Sequence, residues 1–140
     1  MEQAILNMYE KFKLHFYRSL FEKFQDREAS LSTVETFCIE IIHAMGNPTV
    51  SEFANYINIS APNAAYKVNS LIKKGYLEKV QSQDDKREFH LKVTDKYINY
   101  YNLSSDYVKT VADRMKDKFP EEDLELVERI VTETINELMV

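Results

Sequence analysis

Apolar residues recur at helical spacing along most of this chain. From residue 3 to 24 the stripe is Ile5, Tyr9, Phe12, Phe16, Leu20 and Phe24, widened by Leu14, Tyr17 and Phe21. A helix this aromatic is expected to pack on the rest of the chain or on a second copy. The polar run at 25–30 reads as a loop. Ser32-Thr-Val-Glu35 then has the form of a capping box. It opens a predicted helix with Val34, Phe37, Cys38, Ile41, Ile42 and Met45 inward and Gly46 as its stop. A second such box, Thr49-Val-Ser-Glu52, starts a short helix with Phe53, Ala54 and Ile57 inward and Asn58 at its end. Ser60 caps the next, with Pro62 in its first turn, Ala61, Ala64, Val68, Leu71 and Ile72 as the buried face, and Gly75 just past its end.

The period then changes. Residues 76–81 read as a strand, Ser82-Gln-Asp-Asp85 as a turn, and 88–93 alternates with Phe89, Leu91 and Val93 on one side. After this hairpin Thr94 is expected to cap a long helix, 95 to about 118, carrying Tyr97, Tyr100, Tyr101, Tyr107, Val111 and Met115. Pro120 ends or restarts it. Glu121, Glu122 and Asp123 suit the positive end of a last helix, whose apolar face is Leu124, Val127, Ile130, Val131, Ile135 and Leu138. The predicted fold class is therefore mainly α with a small β-hairpin wing, a winged helix-turn-helix between flanking helices. We expect one domain over 1–140, with 31–94 as the winged unit and with 1–30 and 95–140 as its flanking helical parts.

Charge sharpens this picture. The chain is acidic, with net charge −5. From Ser60 to Lys96, however, seven Lys and one Arg face five acids, a net of +3, so the remainder carries −5 − 3 = −8. Basic charge is thus gathered where a DNA-reading unit would lie. No stretch is long and apolar enough to span a membrane, so no membrane association is expected. The N-terminal residues lack a signal-peptide shape, and the single cysteine, Cys38, cannot form an internal disulfide. Both fit a cytoplasmic protein.

In a helix-turn-helix the start of the second helix meets base edges in the major groove. Its outward positions by periodicity are Asn63, Tyr66, Lys67 and Ser70. Asn can pair with adenine and Lys with guanine or phosphate, while small apolar groups can touch thymine methyls. Ser60 and the helix start, with Pro62, suit a phosphate. On the wing, Lys86 and Arg87 adjoin Asp84 and Asp85. An Arg there fits a narrow minor groove, and Asp85 can hold its guanidinium in a bidentate pair. The alternative is an ordinary surface ion pair, contributing about 0–1 kcal/mol.

These residues resemble the multiple antibiotic resistance regulator (MarR) family. Asp85-Lys-Arg87-Glu-Phe-His-Leu-Lys-Val93-Thr94-Asp95 follows its wing pattern of Asp-x-Arg, strand residues, Leu-Thr and a charged residue, with Val93 for the usual Leu. Leu71-Ile-Lys-Lys-Gly75 matches the Leu-x-x-x-Gly before the wing. The resemblance implies a homodimer joined through its terminal helices, binding a pseudo-palindromic operator in double-stranded DNA. It also implies a repressor, less often an activator, that a small-molecule effector releases. Arg87 would be the minor-groove residue, Asp85 its orienter, and 60–70 the major-groove reader. Ala65 and Tyr66 depart from the basic or hydroxylated residues many relatives carry, which points to an unusual operator or weak intrinsic affinity.

The remaining chemistry is sparse. His15, His43 and His90 lie in three elements without metal-ligand spacing, so no metal and no cofactor are expected. Cys38 reads as a small core residue rather than a redox sensor. An aromatic set of Phe12, Phe16, Phe37 and Tyr100 with His43 is the candidate lining of an effector pocket, although such stripes more often form core or interface. No phosphate loop, nucleophile elbow or catalytic carboxylate pair is present, so no enzyme is expected. The reading from another class is a winged-helix protein-interaction module, motivated by the acidic flanks and the Ala/Tyr-rich face.

Overall fold

Helix starts and stops in this chain are set by short-range hydrogen bonds. In the computed structural model α1 spans Glu2–Phe24 and α2 spans Thr33–Met45. Ser32 Oγ accepts the Glu35 N–H at 3.2 Å, and Glu35 Oε1 accepts the Ser32 N–H at 3.3 Å. Thr49 and Glu52 repeat this reciprocal cap at 3.1 and 3.3 Å to open α3 (Val50–Tyr56). Gly46 and Asn58 take the left-handed conformation after α2 and α3, at φ 73° and 55°. Ser60 opens α4 (Ala61–Lys73) by accepting the Asn63 N–H at 3.3 Å. The far end of α4 closes as a Schellman turn. Gly75, at φ 83°, donates to Ile72 O, and Tyr76 donates to Leu71 O, both at 3.0 Å.

The structure describes residues 1–24 and 31–139, and the loop expected at 25–30 lies outside the described residues, as do the side chains of Phe24, Tyr100 and Tyr101. The chain divides into two compact units, Met1–Asn102 and Leu103–Val140.

In the first unit β1 (Leu77–Gln81) pairs antiparallel with β2 (Phe89–Val93), Leu77 opposite Val93 and Gln81 opposite Phe89. The turn before α3 joins this hairpin. Leu91 N–H donates to Pro48 O at 2.8 Å, Thr49 bridges to His90, and His90 Nδ1 lies 2.9 Å from Asn47 O. Ile39 and Ile42 of α2, Phe53 of α3, Val68 and Leu71 of α4, Leu91 of β2 and Tyr97 at the start of α5 (Asp95–Lys118) are fully buried together. Thr94, just before α5, donates its hydroxyl to Gly75 O at 2.6 Å and ties the end of α4 to the wing exit.

Several expected inward positions turn outward. Val34 and Phe37 are about half exposed, while Thr36 and Ile39 take their place in the core. Thr36 tolerates burial because its hydroxyl donates to Ser32 O at 2.9 Å, which satisfies the polar group. Ala61 is exposed because it is the first residue of α4, a turn before the helix meets the core. Phe89 is exposed because it is the last hairpin pair before the turn. On α1, Ile5, Tyr9, Leu14, Tyr17 and Phe21 are exposed, whereas Leu20 is buried.

In the second unit, Pro120 stands at the N-cap of α6 (Glu121–Glu133), with three acids in the first turn. A π-helical turn, Thr134–Leu138, ends the described chain. Leu124 is half-buried, whereas Val127, Ile130, Val131, Ile135 and Leu138 are exposed.

Candidate nucleic-acid interface

Burial fixes which face of α4 looks outward. Ala64, Val68 and Leu71 are buried, and the opposite side carries Pro62, Tyr66, Asn69 and Lys73, all exposed and spaced at i, i+4, i+7 and i+11. Asn63 is exposed beside this row, and Tyr66 is 77% exposed. Lys67 and Ser70, expected outward, are half-buried at the edge of the face. Asn69 and Lys73 were not among the expected readers. The burial of Ala64, which turns the face by part of a residue step, was the available signal.

The wing tip is built around two side chains. Ser82 Oγ accepts the Asp84 and Asp85 N–H groups at 3.3 and 3.4 Å, and Gln81 Nε2 donates to Lys86 O at 2.7 Å. On this tight turn Asp85 clamps Arg87. Asp85 Oδ1 accepts from the Arg87 N–H at 2.9 Å and from Nε at 3.1 Å, while Oδ2 accepts from Nη2 at 3.1 Å. The Arg87 side chain is 91% exposed, so the fork is held in one direction while facing solvent. The Arg87 guanidinium and then its backbone N–H hold the Asp85 carboxyl below the usual range, and Asp85 in turn raises Arg87. Both groups are therefore charged throughout the neutral range. Lys86 is exposed beside them.

Residues 31–89 match the MarR family model. The winged unit is a MarR-family domain. Solved structures of similar fold span almost the whole chain. A transcriptional regulator from Thermotoga maritima superposes with TM-score 0.67 at 14% identity, covering 99% of this chain and 96% of its own. Streptococcus pneumoniae FabT in complex with DNA gives 0.55 at 23% identity, covering 99% and 98%. An S. aureus MepR mutant bound to an oligodeoxyribonucleotide gives 0.53 at 13% identity, covering 99% and 98%. No curated protein sequence matches the chain.

Within the MarR domain Glu35 joins two elements that the sequence left unconnected. Besides capping α2, it accepts from Lys74 Nζ at 2.8 Å and from Ser70 Oγ at 3.1 Å, both on or next to α4. Burial raises its pKa, but the bonds from Lys74, Ser32 and Ser70 outweigh this, and the carboxyl lies below its ordinary value. Because the folded value lies below the unfolded one, the clamp stabilises the fold at neutral pH. That contribution is lost as pH falls through the folded value. Glu35→Gln is expected to cost about 1–2 kcal/mol in urea unfolding at neutral pH. The difference from wild type should shrink in acid below about pH 4. An equal difference at both pH values would show that Glu35 contributes no charge-dependent stability.

The candidate pocket residues are dispersed over three helices, α1, α2 and α5. Phe12 and Phe16 are half-buried on α1, with Phe16 tilted against Tyr17 at 6.0 Å. Phe37, expected inward, is about half exposed on α2. His43 stands edge-on to Tyr97 at 5.4 Å, and the Tyr97 hydroxyl donates to Glu40 Oε1 at 2.5 Å. Burial pushes the Glu40 carboxyl up, against the lowering effects of Tyr97 and His43. The side chain of Tyr100 lies outside the described residues. Cys38 is buried, and burial pushes its thiol up despite the nearby charge of Lys67. A raised thiol pKa opposes the thiolate that oxidant sensing needs. Among the described residues, no group of three His, Cys, Asp or Glu could hold a metal ion, and no helix is long and apolar enough to cross a membrane.

Proposed function

We propose that this MarR-family regulator is a cytoplasmic homodimer that binds a pseudo-palindromic operator and represses until a small-molecule effector releases it. The observation that carries the DNA reading is the Asp85-clamped, solvent-facing Arg87 at the tip of a hairpin beside an exposed α4 face. A guanidinium held this way loses less freedom on entering a minor groove than a mobile one. Asn63, Tyr66 and Pro62, with Ser60 at the helix start, would face the major groove. Lys86 and Lys67 would lie toward phosphates. FabT and MepR were solved with DNA, which supports the same use of this fold here.

The terminal helices support the dimer. Ile5, Met8, Tyr9, Leu14 and Phe21 on α1 and Val127, Ile130, Ile135 and Leu138 on the C-terminal segment are all exposed. Apolar faces of this kind mark association surfaces. A two-fold dimer would set two α4 helices one helical turn of DNA apart. Regions 1–30 and 95–140 serve as the dimerisation helices in this reading.

Fluorescence anisotropy with a duplex from the DNA upstream of its own coding region, titrated with salt beside a scrambled duplex, tests it. Tight binding to the first, much weaker binding to the second, and a steep loss of affinity with salt are expected. Equal, weak binding to both would shift the reading to a winged-helix protein-interaction module, which the exposed, tyrosine-bearing face of α4 would then serve.

A further inference from the structure

We infer that α4 reads adenine and thymine rather than guanine, with Asn63 and Tyr66 as the specificity-determining residues. This rests on the DNA-binding reading above and adds the base chemistry. Guanine is normally recognised by Arg or Lys bonding bidentately to O6 and N7. Helix α4 contains no Arg, and Arg87 on the wing is the sole Arg between residues 31 and 94. That Arg is already oriented by Asp85 at the far side of the hairpin turn.

The two lysines of α4 are also poorly placed for base reading. Lys67 is half-buried at the edge of the outward face. Lys73 is exposed, but it is the last residue of the helix, whereas base contacts come from the N-terminal part. Lys74, just beyond it, pairs with Glu35.

The exposed start of α4 offers other chemistry. Asn63 presents a carboxamide, whose donor and acceptor match adenine N7 and N6. Ala61, Pro62 and the Tyr66 ring present exposed apolar surface on the first two turns, which suits thymine C5-methyl groups. Ser60 does not compete as a reader, because its hydroxyl caps the helix. Adenine pairs with thymine, so one A·T step satisfies both kinds of group.

The experiment begins with selection of duplexes from a random pool by the full-length protein. The strongest duplex is then remade with single-atom analogues in its half-sites. Enriched half-sites should hold A·T pairs in the major-groove positions. Replacing adenine by 7-deaza-adenine should weaken binding by roughly 5- to 100-fold at the Asn63 position. Replacing thymine by uracil should weaken it a few-fold, while 7-deazaguanine should leave it unchanged. The 7-deaza-adenine penalty should disappear in Asn63→Ala and the uracil penalty in Tyr66→Ser. Both positions are exposed, and circular dichroism would check the fold of each variant. Half-sites rich in G·C, or a penalty from 7-deazaguanine instead, would overturn the proposal while leaving DNA binding intact. Failure to enrich any duplex would overturn both.

Discussion

Phe53→Ala is expected to cost about 3–5 kcal/mol, a large share of the roughly 5–15 kcal/mol that holds a domain folded. Phe53 is completely buried on the short helix α3, among Ile39 and Ile42 of α2, Val68 and Leu71 of α4 and Leu91 of β2. Helix α3 has only seven residues, too few to be stable alone, so its position depends on this packing. The ring is also where the helices meet the hairpin, so a cavity there loosens both from α4. Urea unfolding followed by circular dichroism should show the loss as a lower midpoint with an unchanged slope. Phe53→Leu should cost less, because most of the volume is kept. Tyr56→Ala, three residues along the same helix but 70% exposed, should change stability by no more than about 0.5 kcal/mol. Comparable losses at Phe53 and Tyr56 would show that α3 is not anchored through its buried face.

Much of this architecture is legible before any coordinates. Capping boxes at Ser32 and Thr49, the Ser60 cap and the Gly75 stop are local devices, and each forms where its residues stand. Their chemistry lies within a few residues, so sequence spacing suffices. What escaped depends on partners far along the chain. Thr36, absent from the expected inward set, is buried by the packing of α2 on its neighbours, with its hydroxyl satisfied locally by Ser32 O. Phe37 appears inward until the buried neighbours of α2 are known. Glu35 is an ordinary capping residue in the sequence. Its bonds to Ser70 and Lys74, thirty-five and thirty-nine residues away, need the packing of α2 on α4. The same packing decides that Asn69 joins the outward row while Ser70 is held by Glu35. At the wing the pattern of residues was sufficient, because Asp85 and Arg87 are two positions apart and the turn between them fixes the pair.

That pair carries the second large expected effect. Arg87→Ala should weaken operator binding by about 1–3 kcal/mol, roughly 5- to 100-fold, and lower the log–log salt slope by about 1. Asp85→Ala is more informative because it does two opposed things. It removes a negative charge from the DNA-facing tip, which favours binding, and it frees the guanidinium, which disfavours it. With Arg87 present the second effect should win, since Asp85 holds the fork at two points and the Arg87 backbone N–H at a third. In an Arg87→Ala background no fork remains to be oriented, so removing Asp85 should strengthen binding slightly, and more so at low salt. The sign of the Asp85 effect is thus expected to reverse between the two backgrounds. A double-mutant cycle measured by anisotropy at two salt concentrations isolates that coupling. If Asp85→Ala has the same sign and size in both, the pair is an ordinary surface ion pair. The wing would then contact DNA only through its net charge.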